Sequence, residues 1–88
     1  MEIGSIRIRR VEGDRHLKAV VSLVIDGAFA VHDMKIIEGQ DRLFLAMPSK
    51  KMTDGSFRDV AHPIDPQTRE LIERSVLEQY ERGDEAET

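Results

Sequence analysis

The alternation of apolar and polar positions is clearest from residue 17 onward, where Leu17, Ala19, Val21, Leu23 and Ile25 fall at every second position. That is the period of a β-strand with one buried face. Val20 and Val24 add apolar groups to the opposite face, the composition of a central strand covered on both sides. Upstream, residues 3–11 read as another strand, with Ile6 and Ile8 on one face and Arg7 and Arg9 on the other. Arg10 and Val11 break this phase, as a bulge or a strand end would. Glu12, Gly13, Asp14 and Arg15 supply turn chemistry between the two strands. Asp26-Gly27 is a two-residue turn that tolerates positive φ, so a hairpin follows. Phe29 and Val31, then Met34, Ile36 and Ile37, continue the alternation with a phase change at His32-Asp33, which predicts a bulge that curls the sheet. Leu43, Leu45 and Met47 form a short strand stopped by Pro48, which cannot donate a ladder hydrogen bond. Residues 48–56 read as a polar loop around a Thr53-Asp54-Gly55 turn, and Phe57 to Ala61 as one more short strand.

The period then changes. Asp65-Pro66 predicts a helix start: Pro66 has its φ near the helical value and lacks only an N–H that the first turn leaves unpaired, and Asp65 is a good N-cap. Leu71, Ile72, Val76, Leu77 and Tyr80 recur at helical spacing, with Glu70, Glu73, Arg74, Glu78 and Glu81 on the wet side. Gly83 is a natural stop. The fold class is α+β: a twisted antiparallel sheet of four to five strands with one C-terminal amphipathic helix. Residues 1–82 form one domain, and 83–88 read as an acidic disordered tail.

Composition sharpens this outline in two ways. With 88 residues and no cysteine, a single small core must stand without disulfides or thiolate metal sites, which leaves self-association as the most available support. No apolar run approaches membrane-spanning length, so a soluble cytoplasmic protein is expected. The net charge of −4 is unevenly spread: residues 1–63 carry 10 basic and 9 acidic side chains (net +1), and 64–88 carry 3 and 8 (net −5).

Candidate catalytic chemistry is sparse. His16, His32 and His62 show no metal-ligand spacing, and a cluster of His32, Asp33, Asp59 and His62 requires the fold to join distant segments. Ser49 is followed at once by Lys50, unlike an SxxK nucleophile, and the six glycines form no phosphate-cradling motif. The basic residues say more. Arg7 and Arg9 are two apart on a strand and share a face. Lys50-Lys51 and Arg58 frame the loop after Pro48, where backbone N–H groups of Gly and Ser could join in gripping phosphates. A solvated or aggregation-resistant sheet face accounts for the same arginines.

Phe44-Leu45-Ala46-Met47-Pro48-Ser49-Lys50-Lys51, followed by Asp54-Gly55-Ser56-Phe57-Arg58-Asp59-Val60-Ala61-His62-Pro63-Ile64, resembles the signature of the SpoVG family, the stage V sporulation protein G or septation regulator. Val31 to Ile37 and the opening Ile6 to Val11 resemble the same family's earlier blocks, in order. The resemblance implies a small dimeric bacterial cytoplasmic protein that binds DNA and RNA and regulates gene expression, with roles in septation and sporulation. Lys50 and Lys51 stand at a basic pair of the family, and Arg58 and Arg69 match basic family positions. Thr53 stands where many relatives have proline, and Glu70-Leu71 where relatives often have Gly-Lys, which directs nucleic acid away from the helix.

The resulting expectation is a homodimeric, non-catalytic regulator with DNA and RNA as partners and no cofactor or metal. Its nucleic-acid contacts are Lys50, Lys51, Arg58, Arg9, Arg7 and Arg69. Dimerisation would bury Leu71, Ile72, Val76 and Tyr80, or a sheet edge. The alternative is a protein-interaction adaptor in cell division or regulation, with nucleic-acid binding incidental.

Overall fold

The computed structural model describes residues 1–83; of the acidic tail expected at 83–88, Gly83 is described as the helix cap and 84–88 lie outside the described residues. Four strands, β1 (Ile3–Arg10), β2 (Leu17–Ile25), β3 (Phe29–Glu38) and β4 (Leu43–Ala46), form an antiparallel sheet in the order β1-β2-β3-β4. Two short strands, β5 (Ser49–Lys51) and β6 (Phe57–Asp59), pair as a separate two-stranded sheet, and α1 (Pro66–Arg82) closes the chain. The architecture is α+β, as the periodicity indicates.

The turns follow local chemistry. Asp26 and Gly27 both have positive φ (55° and 63°), and the Ala28 N–H donates to the Ile25 carbonyl at 3.0 Å, the requirement of a tight hairpin matched to strand twist. Between β1 and β2, the Asp14 carboxylate accepts from the His16 and Leu17 N–H groups, both at 2.8 Å. These bonds, Leu17 first, hold its pKa below the ordinary value. The helix begins as Asp65-Pro66 predicts: the Asp65 side chain accepts from the Thr68 N–H at 2.7 Å and the Thr68 hydroxyl at 3.0 Å. It ends at Gly83, whose φ of 80° suits a residue without Cβ.

The core lies between the sheet and α1. Ala19, Val21, Leu23, Met34, Ile36 and Leu45 point inward from the strands and meet Ile72 and Val76 of the helix. The helix also ties down both edge strands. On β4, Glu73 Oε2 accepts from the Leu45 N–H at 2.9 Å, with Arg42 at 3.7 Å from the same oxygen. On β1, Gln79 donates to the Ile6 carbonyl at 3.0 Å, while Arg10 donates to the Tyr80 carbonyl and lies over the Tyr80 ring at 4.2 Å. These contacts occupy polar groups that an open edge would offer to another strand.

Three expectations change, and two phase breaks are resolved. The Arg10-Val11 phase break is a strand end; the β1 bulge lies instead between Gly4 and Arg7, where Ser5 has φ 50°. The His32-Asp33 bulge is present, with Asp33 at φ 67°. The expected loop 48–56 contains strand β5, closed by Val60 N–H to Pro48 carbonyl at 2.7 Å and Met52 N–H to Ser56 carbonyl at 2.7 Å. Val20 and Val24 are half-exposed rather than covered, because α1 packs on the other face. Finally, of the helix stripe offered for dimerisation, Ile72 and Val76 are core residues of this one chain and Tyr80 packs partly against that core, which leaves Leu71 as its partly exposed member.

Candidate nucleic-acid interface

The uncovered sheet face follows from strand alternation. Since Ile8, Val21, Met34 and Leu45 point inward, their neighbours point out, and the registers align Arg9 with Val20, Val20 with Lys35, and Lys35 with Ala46 across all four strands. Arg7 pairs with Ser22 one pleat along. Strands lie about 4.8 Å apart, so Arg9 and Lys35 are separated by roughly 10 Å at the backbone with Val20 between them. The outward paired positions Arg7, Arg9, Val20, Ser22, Val24, Ala30, Lys35, Ile37, Phe44 and Ala46 contain three cations and no carboxylate.

Ion pairing separates structural from available cations. Lys18 pairs with Glu38 at 3.1 Å, Arg42 with Glu73 at 3.7 Å, and Arg74 with Glu70 at 3.7 Å. Among the described residues, Arg7, Arg9, Lys35, Lys50, Lys51, Arg58 and Arg69 make no such pair. The carboxylates Glu70, Glu73, Glu78 and Glu81 all belong to α1, which packs on the opposite face of the sheet. That helix also carries Arg69, Arg74 and Arg82 and is close to neutral at net −1, so the sheet face is distinguished by its cations rather than by an acidic face opposite.

The six residues singled out from sequence fall into three groups. Arg7 and Arg9 share the open sheet face, as their spacing requires. Lys50 and Arg58 are cross-strand partners in the β5–β6 pair and project to one side, whereas Lys51 pairs with Phe57 and projects to the other. Lys50 and Lys51 therefore do not act as one double charge. The backbone N–H groups expected to assist them are already committed: Gly55 to the Met52 carbonyl at 3.0 Å and Ser56 to Asp54 at 2.9 Å. The Ser56 hydroxyl, at 2.6 Å, is the leading cause of the lowered Asp54 pKa. Arg69 lies in the first turn of α1, away from the face that carries Arg7 and Arg9. Lys35 is a cation of the open sheet face that sequence reasoning missed; its signal was its place between the inward residues Met34 and Ile36.

His32 and Asp33 sit in the β3 bulge, Asp59 at the end of β6, and His62 beyond it, with its ring nitrogen 3.0 Å from the Pro63 carbonyl oxygen. Among the described residues, no group of three or more His, Asp or Glu side chains is placed to hold a metal ion. No described helix is long and apolar enough to cross a membrane.

Comparison with known proteins bears on the whole chain. The SpoVG family model matches residues 1–82. A protein of Clostridium perfringens (strain SM101 / Type A) named "Putative septation protein SpoVG" is 51% identical over 82 residues, covering 93% of this chain and 91% of that one. A Clostridium kluyveri protein of the same name is 49% identical over 88 residues, covering 100% of this chain and 92% of that one. A "Putative septation protein SpoVG 1" of Listeria monocytogenes serotype 4b is 53% identical over 85 residues, covering 97% and 83%. Matched along nearly its full length, from the first strand through the helix, the chain belongs to the SpoVG family.

Proposed function

We propose that this protein is a nucleic-acid-binding regulator of gene expression that takes DNA and RNA, with a role connected to septation and sporulation. The carrying observation is the open sheet face with Arg7, Arg9 and Lys35, all without ion-pair partners among the described residues and with no carboxylate at the paired positions between them. Each cation that neutralises a phosphate releases condensed counterions, which supplies affinity with little dependence on sequence. Lys50 with Arg58 adds a second cationic pair on the β5–β6 hairpin. The septation role rests on the names of the relatives. The test is an amide chemical-shift titration with single-stranded and duplex oligonucleotides. Saturable shifts concentrated on β1–β3 support the reading. Shifts confined to the outer face of α1, or none at physiological salt, overturn it.

A second copy of the chain is the further partner in this reading. Phe29, Val60 and Ile64 are 63%, 68% and 91% exposed, and Phe29 borders a groove of about 150 Å³ also lined by Ile25, Val31, Met47 and Pro63. Among the described residues, no Asp, Glu, Lys or Arg side chain lines that groove. Two chains each at −4 can meet there with least repulsion, and the exposed apolar surface suits a two-fold, self-complementary contact. The same end would suit the adaptor alternative. Sedimentation equilibrium of the free protein decides: a dimer that becomes monomeric in Phe29→Ser/Ile64→Ser supports self-association, and a monomeric wild type favours the adaptor.

A further inference from the structure

The outer sheet face is broken where two bulges flank the same stretch of β2. Ser5 adds a residue to β1 between Gly4 and Arg7, and His32-Asp33 adds to β3 between Val31 and Met34. Both register shifts fall opposite residues 21–24 of β2, so the neighbouring strands bend away on either side. A recess of about 300 Å³ opens there. Its polar lining is Ser5, Arg7, Ser22 and His32, over an apolar floor that includes Val24 and Ala30, and among the described residues no carboxylate lines it.

Two hydroxyls, a guanidinium and an imidazole can all donate hydrogen bonds. That donor set matches an oxyanion with several acceptor oxygens, and the guanidinium fork can engage two of them. A recess of this size is at the small end of ligand pockets, larger than one phosphate and roomy enough for a phosphate with its attached sugar. The pairing is also unusual for a sheet surface: the bulges withdraw the pleat at the one row where serine, not valine, occupies the outward position of β2.

We propose that this recess is a phosphate-binding site, taking the phosphate group of a nucleotide unit through Arg7, His32, Ser5 and Ser22. The proposal deepens the nucleic-acid reading, since the recess lies on the same face as Arg9 and Lys35. It is tested by amide chemical-shift titration with inorganic phosphate, against sodium chloride at matched ionic strength. Trinucleotides with and without a 5′-phosphate form the second arm. Phosphate should give saturable shifts localised to residues 4–7, 22–24 and 30–33. In Arg7→Gln/Ser22→Ala its affinity should fall by at least tenfold while amides elsewhere keep their positions. Tighter binding of the 5′-phosphorylated trinucleotide assigns the site to a terminal phosphate, and equal binding at the same amides assigns it to a backbone phosphate. Shifts matched by chloride, or absent with every phosphate-bearing probe, overturn the site. Loss of phosphate binding alone, with oligonucleotide binding retained, leaves the nucleic-acid reading intact.

Discussion

Replacing Arg7, Arg9 and Lys35 together by Gln removes the cations of the open sheet face while leaving the inward residues of the same strands untouched. None of the three makes an ion pair among the described residues, so no carboxylate partner is orphaned and the fold should persist. The effect on binding can be worked from their number. Each phosphate contact contributes about 0.7 to the slope of log affinity against log salt for single strands and about 0.9 for duplex DNA. Three contacts per chain correspond to a slope change of about 2 for single strands and about 2.7 for duplex. Between about 50 and 200 mM salt, the affinity of the wild-type chain should therefore fall roughly 16- to 40-fold further than that of the triple variant. Fluorescence anisotropy at four or five salt concentrations measures both slopes, and circular dichroism checks that the variant is folded. An unchanged slope in a folded variant refutes the assignment of this face.

Lys50→Ala and Arg58→Ala should show coupled rather than additive losses in oligonucleotide affinity, because the two are cross-strand neighbours; Lys51→Ala should combine additively with either. Val76→Ala should lower stability by roughly 2 kcal/mol, about 0.8 for each methylene-equivalent lost plus a cavity contribution; urea unfolding measures it, and a loss below about 0.5 kcal/mol would contradict full burial of that side chain. The Asp65 carboxylate has its pKa lowered chiefly by the Thr68 N–H, then by the Thr68 hydroxyl. A depressed folded value means that its contribution is present above the unfolded pKa and lost as pH falls through the folded one. Asp65→Ala should accordingly be less stable than wild type at pH 7, with the gap closing below the ordinary carboxylate range; a gap independent of pH between 7 and 2.5 would show that the cap does not depend on charge. Glu73→Leu removes the acceptor from the Leu45 N–H and should raise the tendency of β4 to associate edge to edge, read by light scattering during mild heating.

The parts of the fold that were legible in the sequence are those where a single residue type has one backbone role. Asp65-Pro66 and Gly83 mark the helix ends because a cap acceptor, a missing N–H and a left-handed residue are each needed at one place. Asp26-Gly27 marks a hairpin for the same reason. Strand β5 was not legible because all three of its residues are polar and exposed, so no alternation exists to read. The β1 bulge had a signal that strict alternation conceals: Ile3 and Ile6 are three apart yet both pack against the core, which only an inserted residue allows. Arg7 and Arg9 were legible as a pair because a strand places alternate residues together. The divergence of Lys50 and Lys51 followed from the same rule once their segment proved to be a strand. The expected cover over Val20 and Val24 was misread, since valine on an open face and valine under a helix have the same pattern.

A cationic sheet face on a chain of net charge −4 changes how a polyanion meets this protein at different distances. The described chain measures 36 × 30 × 25 Å. At physiological ionic strength charges are screened over about 8 Å, well short of that thickness, so a phosphate arriving at the sheet responds to Arg7, Arg9 and Lys35 and hardly to the glutamates of α1. At about 0.01 M salt the screening length is near 30 Å and spans the molecule, so the whole charge of −4 opposes approach. Encounter rates should consequently be less enhanced by very low salt than those of a uniformly basic protein, and the molecule should turn its sheet toward the ligand before contact.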